Sequence, residues 1–146
     1  MKKLLLLLFL IPTMLFAQEC YTVKAVTTEV EMEEISQRRI TFGIKQMMED
    51  IISDKYDLCM DGKPVEDQVT SIEATTTGIE IGPWTKVSKK TIVTLLVYMD
   101  GKIIEVEGKA KSTVEATFID LQNDQLPFNK TAFASAVKKA IEKSIK

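Results

Sequence analysis

Residues 104–118 read Ile-Glu-Val-Glu-Gly-Lys-Ala-Lys-Ser-Thr-Val-Glu-Ala-Thr-Phe, so that small or apolar residues alternate with charged residues or threonine. This period of two predicts a β-strand with one face on a core and the other in solvent. At about 3.3 Å per residue the strand would be roughly 50 Å long. We therefore expect a bend near Gly108 or a sheet that curls around its helices. The small side chains of Gly108, Ala110 and Ser112 would let a helix backbone approach the sheet.

Three extended segments precede this strand. Residues 20–30 are rich in β-branched types and predict a first strand. Residues 69–81 predict a second, with a bulge at 75–78 where Thr-Thr-Thr-Gly breaks the phase. Residues 91–99 are almost continuously apolar, which is typical of a central strand buried on both faces. The Asp-Gly pair at 100–101 then predicts a tight hairpin.

Two amphipathic helices are predicted, one between the first and second of these extended segments and one after the last strand. Apolar residues at spacings of three and four indicate a first helix over residues 34–53, and Gly43 within it suggests a close approach to the sheet. The second helix would begin at Asn129 as N-cap, with Phe128 and Phe133 forming a hydrophobic staple. The predicted core contains Ile44, Met47, Ile51, Val93, Leu95, Val97, Val106, Phe133, Val137 and Ile141.

The predicted order of elements is β-α-β-β-β-α, with a short additional strand possible within residues 56–60. This order predicts an α+β fold, a two-layer sandwich with two helices on one face of a mostly antiparallel sheet. A chain of 146 residues is long enough for one such domain, which we assign to residues 18–146.

The first 17 residues have the pattern of a cleaved signal peptide. Lys2 and Lys3 precede an apolar run at 4–11, and Ala17 provides the small residue before a cleavage site. The bulky Glu19 directly before Cys20 does not fit a lipid-attachment site. We therefore expect a bacterial periplasmic or secreted protein without a lipid anchor. No later segment reaches the roughly 20 apolar residues of a membrane span.

The net charge bears on the kind of partner, and the cysteine content bears on a disulfide. The chain has 19 basic and 21 acidic residues, and loss of Lys2 and Lys3 with the signal peptide would leave a net charge of −4. This argues against nucleic acid or anionic membrane surfaces as partners. In an oxidising compartment the only two cysteines, Cys20 and Cys59, could form a disulfide. The alternative is a pair of half-buried thiols.

The sequence offers little for catalysis. It contains no histidine, which removes the commonest general base and the commonest zinc ligand, and it has no cofactor-binding motif. The acidic residues at 29–34, and Asp54, Asp57 and Asp61, lack the spacing of a calcium loop. Arg38 and Arg39 could neutralise the first group from the next helical turn. We therefore expect no catalytic, cofactor-binding or metal-binding residues.

Trp84 is the only tryptophan and follows Gly82-Pro83 at a predicted strand end. An aromatic residue in such a place could be a recognition anchor for a partner. The alternative is a tryptophan in the core or in a lid, which is the commoner use of this residue.

The order of elements suggests a group of relatives. The first helix runs into Ile-Ile-Ser-Asp-Lys-Tyr-Asp-Leu at residues 51–58, and meandering strands and an Ala/Lys-rich terminal helix follow. In this order the chain resembles the small periplasmic sandwich shared by the LPS-assembly lipoprotein LptE, the curli-secretion protein CsgG and the penicillin-binding-protein activator LpoB. The resemblance implies a non-enzymatic accessory of the cell envelope, and it transfers no functional residue.

Two classes of function remain open. The first is a non-enzymatic envelope accessory that binds a protein partner, for which exposed strand edges could serve by β-augmentation. The alternative is a small periplasmic hydrolase that uses carboxylates alone, since two carboxylates are sufficient for glycoside hydrolysis. A pair of carboxylates facing each other across a concave pocket would favour the enzyme. The sequence does not indicate an oligomeric state.

Overall fold

The computed structural model describes residues 19–33, 35–117 and 129–145. Within these ranges the elements are, in chain order, β1 (Cys20–Thr28), α1 (Gln37–Ser53), β2 (Asp57–Leu58), β3 (Lys63–Ile81), β4 (Trp84–Met99), β5 (Lys102–Thr117) and α2 (Lys130–Ser144). The predicted signal peptide at 1–17, the end of the alternating pattern at Phe118 and the staple residue Phe128 lie outside the described residues.

The five strands form one mixed, curled sheet in the order β2-β1-β3-β4-β5. With two helices this gives an α+β fold, as the sequence predicts. The expectation of a mostly antiparallel sheet holds for β3, β4 and β5, which form a meander. It is wrong for β1, which runs parallel to both β2 and β3. The reason is that α1 carries the chain back to the starting end of β1 before the next strand begins.

The hairpin between β4 and β5 has the predicted turn. Asp100 and Gly101 have φ values of 52° and 71°. Positive φ at both central residues is the conformation of a type I′ turn, whose twist matches that of the flanking strands. This turn brings all of residues 102–117 into register with β4.

Two predicted details of the strands are wrong. The register of β3 shifts between Val69 and Ser71, so that the bulge lies at Thr70, whereas residues 75–78 pair with β4 without interruption. The Thr70 hydroxyl donates to the carbonyl of Thr94. β4 is buried on one face only, because its residues alternate between buried and half-buried from Thr91 to Met99. It does lie inside the sheet, between β3 and β5.

The core contains the residues that the periodicity predicts. Both helices and the strands β1, β3, β4 and β5 contribute to one apolar cluster, and every predicted core residue is buried in it except Met47, which is half-buried. α2 contacts β5 and β4, while α1 contacts β1 and β2. Asn129 caps α2 as predicted, because its side chain accepts a hydrogen bond from the Ala132 backbone N–H at 2.9 Å.

The backbone of α2 lies directly on β5 at Gly108, as the small residues of that strand predict. A Cβ added at Gly108 would lie 1.8 Å from the carbonyl oxygen of Ala136 and 2.9 Å from the backbone nitrogen of Ala140. The corresponding expectation for Gly43 is wrong. A Cβ there would meet nothing within 4 Å. Gly43 instead borders a cavity of about 200 Å³ between α1 and α2, lined also by Ile40 and Phe133.

One carboxylate is buried in β3. Asp67 lies between the buried residues Val65 and Val69 and is 2% exposed. Neither of its side-chain oxygens has a hydrogen-bond partner among the described residues. Burial raises the pKa of Asp67 to about 7, and the nearby backbone N–H of Gln68 offsets only part of this effect.

We predict opposite effects of the same substitution at two glycines. Gly108→Ala should lower the free energy of unfolding by about 3 kcal/mol or more, because α2 would have to move off the sheet. Gly43→Ala, the matched control, should raise it by about 0.5–1 kcal/mol, since alanine is the better helix former and there is space for its methyl group. Urea unfolding of both variants measures these changes. A Gly108→Ala protein as stable as the wild type would contradict the helix position.

We also predict that the protein becomes less stable as the pH rises. The folded state holds the proton of Asp67 up to a pKa of about 7, whereas in the unfolded chain the group has its ordinary pKa near 3.8. The free energy of unfolding should therefore fall between about pH 4 and pH 7 and level off above that, by at most about 4 kcal/mol in total.

Asp67→Asn should remove most of this decrease and make the protein more stable than the wild type at pH 8. Glu66→Gln is the control, because it removes the neighbouring, exposed carboxylate. Denaturant unfolding of the three proteins between pH 4 and pH 8 tests this. Equal slopes for wild type and Asp67→Asn would show that Asp67 does not cause the dependence.

Candidate functional site

The strands of the meander are about twice as long as the helices that cover them. The 17 residues of α1 span about 25 Å at 1.5 Å per residue, whereas the 16 residues of β4 span about 50 Å. The shared core accordingly reaches no further along β5 than Ala110. Residues 73–81, 84–90 and 111–117 form the part of the meander beyond this core, which we call the ribbon.

A two-residue turn closes the far end of the ribbon. Ile81 of β3 pairs directly with Trp84 of β4, and Gly82 and Pro83 connect them. Gly82 has a φ of 58°. Glycine with positive φ at the first of two loop residues is the pattern of a type II′ turn, which glycine adopts without the strain that a side chain would cause. The turn therefore holds Trp84 at the outermost position of the hairpin.

Three large apolar side chains are exposed on one face of this end. Ile79 and Ile81 lie on the same side of β3, and Trp84 pairs with Ile81. The exposed fractions are 59% for Ile79, 71% for Ile81 and 58% for Trp84. We call these residues the tip patch. Trp84 is thus not a core residue, and the alternative of a core tryptophan is wrong. Contiguous exposed apolar residues of this kind mark interaction sites in many proteins.

An ion pair borders the tip patch. Lys86 lies opposite Ile79 in the ladder, and its ammonium group donates to Glu115 of β5 at 2.5 Å. This hydrogen bond is the main reason why the pKa of Glu115 is lowered. Both side chains are about half exposed, so the pair contributes little to stability. Its effect is to give the apolar patch a polar border, as in known interfaces.

The two cysteines lie far from the tip, at the start of β1 and after β2. Cys20 and Cys59 form a disulfide with their Cα atoms 5.9 Å apart. The alternative of two free thiols is therefore wrong. The bridge closes a loop that contains α1, and such a loop restricts the unfolded chain.

A polar cluster lies beside the disulfide. The buried hydroxyl of Tyr21 is 2.9 Å from a carboxylate oxygen of Glu19 and 2.9 Å from one of Asp100. Lys63 pairs with Glu19 at 2.7 Å and with Asp100 at 3.3 Å. The Lys63 contact lowers the pKa of Glu19, while burial, with the two carboxylates, raises that of Tyr21. These contacts tie β1 and β3 to the β4–β5 turn, which indicates a structural role.

One cavity is cationic and was not predicted from the sequence. It has a volume of about 650 Å³ and lies between β1 and the start of α1. Arg38, Arg39 and Lys45 line it, together with the exposed ring of Phe42. The sequence suggests that the arginines neutralise the acidic residues before the helix. Among the described residues, however, neither arginine forms an ion pair.

A second cavity contains carboxylates. Its volume is about 210 Å³, and Asp50 and Asp54 of α1 line it together with Glu142 of α2. Two cations also line it, and both have partners: Lys138 forms an ion pair with Glu142, and Lys55 donates to the carbonyl of Ile145. In the described part of the chain, no group of three acidic or cysteine side chains could hold a metal ion. Nor is any described helix both long and apolar enough to cross a membrane.

Comparison with known proteins finds remote structural likenesses. No protein-family model matches the chain, and no curated protein matches its sequence. A minor lipoprotein from Acinetobacter baumannii is 10% identical, with a TM-score of 0.42 over 88% of this chain and 90% of that one. The hypothetical protein CT253 from Chlamydia trachomatis is 10% identical, with a TM-score of 0.30 over 66% of this chain and 71% of that one.

A further solved structure, of an uncharacterized protein, is 8% identical, with a TM-score of 0.33 over 86% of each chain. All three TM-scores are low, and these likenesses assign neither a family nor a function. None of the three is LptE, CsgG or LpoB, so that resemblance stays a prediction.

The exposure of the single tryptophan has a direct spectroscopic consequence. We predict that the emission maximum of Trp84 changes little when the protein unfolds, because the indole is already 58% exposed in the folded state. Acrylamide should quench its fluorescence almost as efficiently before unfolding as after it. A large red shift on unfolding, with poor quenching of the folded protein, would instead place the indole in a covered site.

Proposed function

We propose that this protein is a non-enzymatic, exported accessory of the bacterial cell envelope that binds a protein partner through the tip patch. One observation carries the proposal. Ile79, Ile81 and Trp84 are exposed together at the end of a ribbon that extends beyond the core. Exposing these side chains to water is unfavourable, and this cost is recovered when a partner covers them.

The proposed export rests on two features of the chain. The first 17 residues have the pattern of a signal peptide. The Cys20–Cys59 disulfide supports the same location, because disulfides persist in the periplasm and outside the cell and are rare in the cytosol. We therefore propose that the mature protein is periplasmic or secreted, and that it carries no lipid anchor because Glu19 precedes Cys20.

The chemistry of the patch favours a protein partner. Tryptophan is the residue type most enriched at binding hot spots, where it fills a pocket and excludes water. The tip patch is also rigid, since paired β-strands and a two-residue turn hold it, so little conformational entropy is lost on binding. The expected charge of the mature chain, −4, disfavours nucleic acid and anionic lipid as partners.

A carboxylate-based hydrolase is the second candidate, and the cavity with Asp50, Asp54 and Glu142 is the observation in its favour. Its volume of about 210 Å³ is below the roughly 300–1,000 Å³ of ordinary ligand sites. Lys138 pairs with Glu142 there. Of the described residues, cations and no carboxylate line the cavity of about 650 Å³. These volumes and charges favour the accessory.

A matched pair of alanine variants tests the binding role. We predict that Trp84→Ala weakens partner binding by at least about 30-fold, as loss of a hot-spot residue does. Met60→Ala is the control, because Met60 is 94% exposed but lies at the opposite end of β3. A photo-reactive amino acid placed at Ile81 identifies the partner by cross-linking in cells, and its affinity for each variant is then measured by calorimetry.

Equal affinities of the Trp84→Ala and Met60→Ala proteins would contradict binding through the tip patch.

The substitutions Asp50→Asn and Glu142→Gln test the hydrolase alternative. If the wild type degraded an envelope polysaccharide and either substitution abolished this activity, the protein would be an enzyme.

A further inference from the structure

One edge of the sheet is formed by β5, whose outer backbone groups do not face another described strand. Two of its carbonyls nevertheless have partners. The ammonium group of Lys143 donates to the carbonyl of Glu107 at 2.6 Å, and that of Lys139 donates to the carbonyl of Lys109 at 3.2 Å. Both lysines belong to α2. These bonds also show that odd-numbered residues of β5 direct their backbone groups to the free edge.

The two lysines cover this edge only at residues 107–109. Charged groups over an edge strand prevent other chains from pairing with it. Beyond Lys109, however, no described side chain donates to the carbonyl of Lys111, Thr113 or Glu115. We call residues 111–115 the open edge. It has the backbone groups that an added strand requires.

We propose that the open edge pairs with the open edge of a second copy of this chain, antiparallel, about a two-fold axis at Thr113. In this register Lys111 of each copy lies opposite Glu115 of the other, which gives two symmetric pairs of opposite charge. Thr113 lies opposite Thr113, a favourable cross-strand pair. Val114, which is 43% exposed, lies opposite Ser112 and becomes partly covered.

The neighbouring registers are less favourable. An axis at Lys111 would place Lys111 of one copy opposite Lys111 of the other, which is repulsive. With an axis at Val114, neither Lys109 nor Lys111 would lie opposite Glu115. An axis at Ser112 would oppose Lys109 to Glu115, but it requires the backbone of Lys109, whose carbonyl already accepts from Lys139. The charges, and the backbone groups that have no partner among the described residues, therefore select the axis at Thr113. Dimers with two-fold symmetry are the commonest homo-oligomers.

This dimer goes beyond the proposed function and uses the edge of β5, which meets the tip patch only through the Lys86–Glu115 ion pair. It rests on the backbone and charges of β5, whereas partner binding rests on the side chains of the tip patch on β3 and β4. Trp84→Ala should therefore leave the dimer intact, and failure of one proposal does not affect the other.

Sedimentation equilibrium of the mature, disulfide-bonded protein tests the association. We expect a monomer–dimer equilibrium within concentrations up to roughly 100 μM. Lys111→Glu should weaken it by at least about tenfold, because both pairs become repulsive. The triple variant Lys86→Glu, Lys111→Glu, Glu115→Lys should restore it. The pairs between the two copies are attractive again with the charges exchanged, and Lys86→Glu keeps opposite charges at positions 86 and 115 within each chain.

Lys90→Glu is the matched control. Lys90 is exposed and is the cross-strand partner of Lys111, so this variant makes the same charge change one strand inside the edge. It should leave the dimer unchanged. A wild type that stays monomeric at every concentration would overturn the proposal, as would a triple variant that does not regain the dimer.

Cross-linking locates the axis. Paired residues on antiparallel strands have Cα atoms about 5.5 Å apart, within the range of a disulfide. Thr113→Cys should therefore form an intermolecular disulfide with itself under mild oxidation, while Thr77→Cys, exposed on β3, should not. Equal cross-linking of the two variants would exclude the axis at Thr113.

Discussion

The close contact between the backbone of α2 and β5 is the constraint on which the rest of the structure depends. At Gly108 the carbonyl of Ala136 takes up the space of a side chain, so the helix lies low on the sheet. Only small residues can line such a contact, and α2 presents Ala132, Ala136 and Ala140 to the core. α1 is different, because it packs through large side chains such as Met48. The low position of α2 is also what lets its lysines reach the edge of β5.

The difference in length between strands and helices divides the sheet into two regions with different sources of stability. Near the helices, apolar burial dominates, and the Cys20–Cys59 bridge and the contacts of Tyr21 close the end. In the ribbon, the backbone ladders and β-branched residues, among them the buried Val87, hold the strands together. The ribbon extends the sheet beyond the core that the helices cover, so it can hold large apolar side chains well away from the helices.

Sequence reasoning succeeds here where the signal is local. The alternation in β5, the glycine beneath α2 and the cap at Asn129 each follow from residues within one turn or one strand. It fails where the outcome depends on distant residues. β1 shows no mark of its parallel partners, because parallel pairing is decided by where α1 returns the chain. The exposure of Trp84 depends on how far the ribbon extends beyond the helices, which no motif around residue 84 encodes. The cavity with Arg38 and Arg39 likewise arises only when β1 and α1 meet.

The bulge at Thr70 determines which face of the ribbon is apolar. Val65, Asp67 and Val69 of β3 are buried against the helices. Ile79 and Ile81 are odd-numbered as well, and alternate residues of a regular strand share a face. In an uninterrupted strand those isoleucines would lie on the helix side of the sheet. The extra residue inverts the phase of the remaining strand and turns them outward, onto the face of Trp84. Loss of a single codon at this position would therefore reverse the two faces of the strand, and a binding surface would be lost although no residue that forms it had changed.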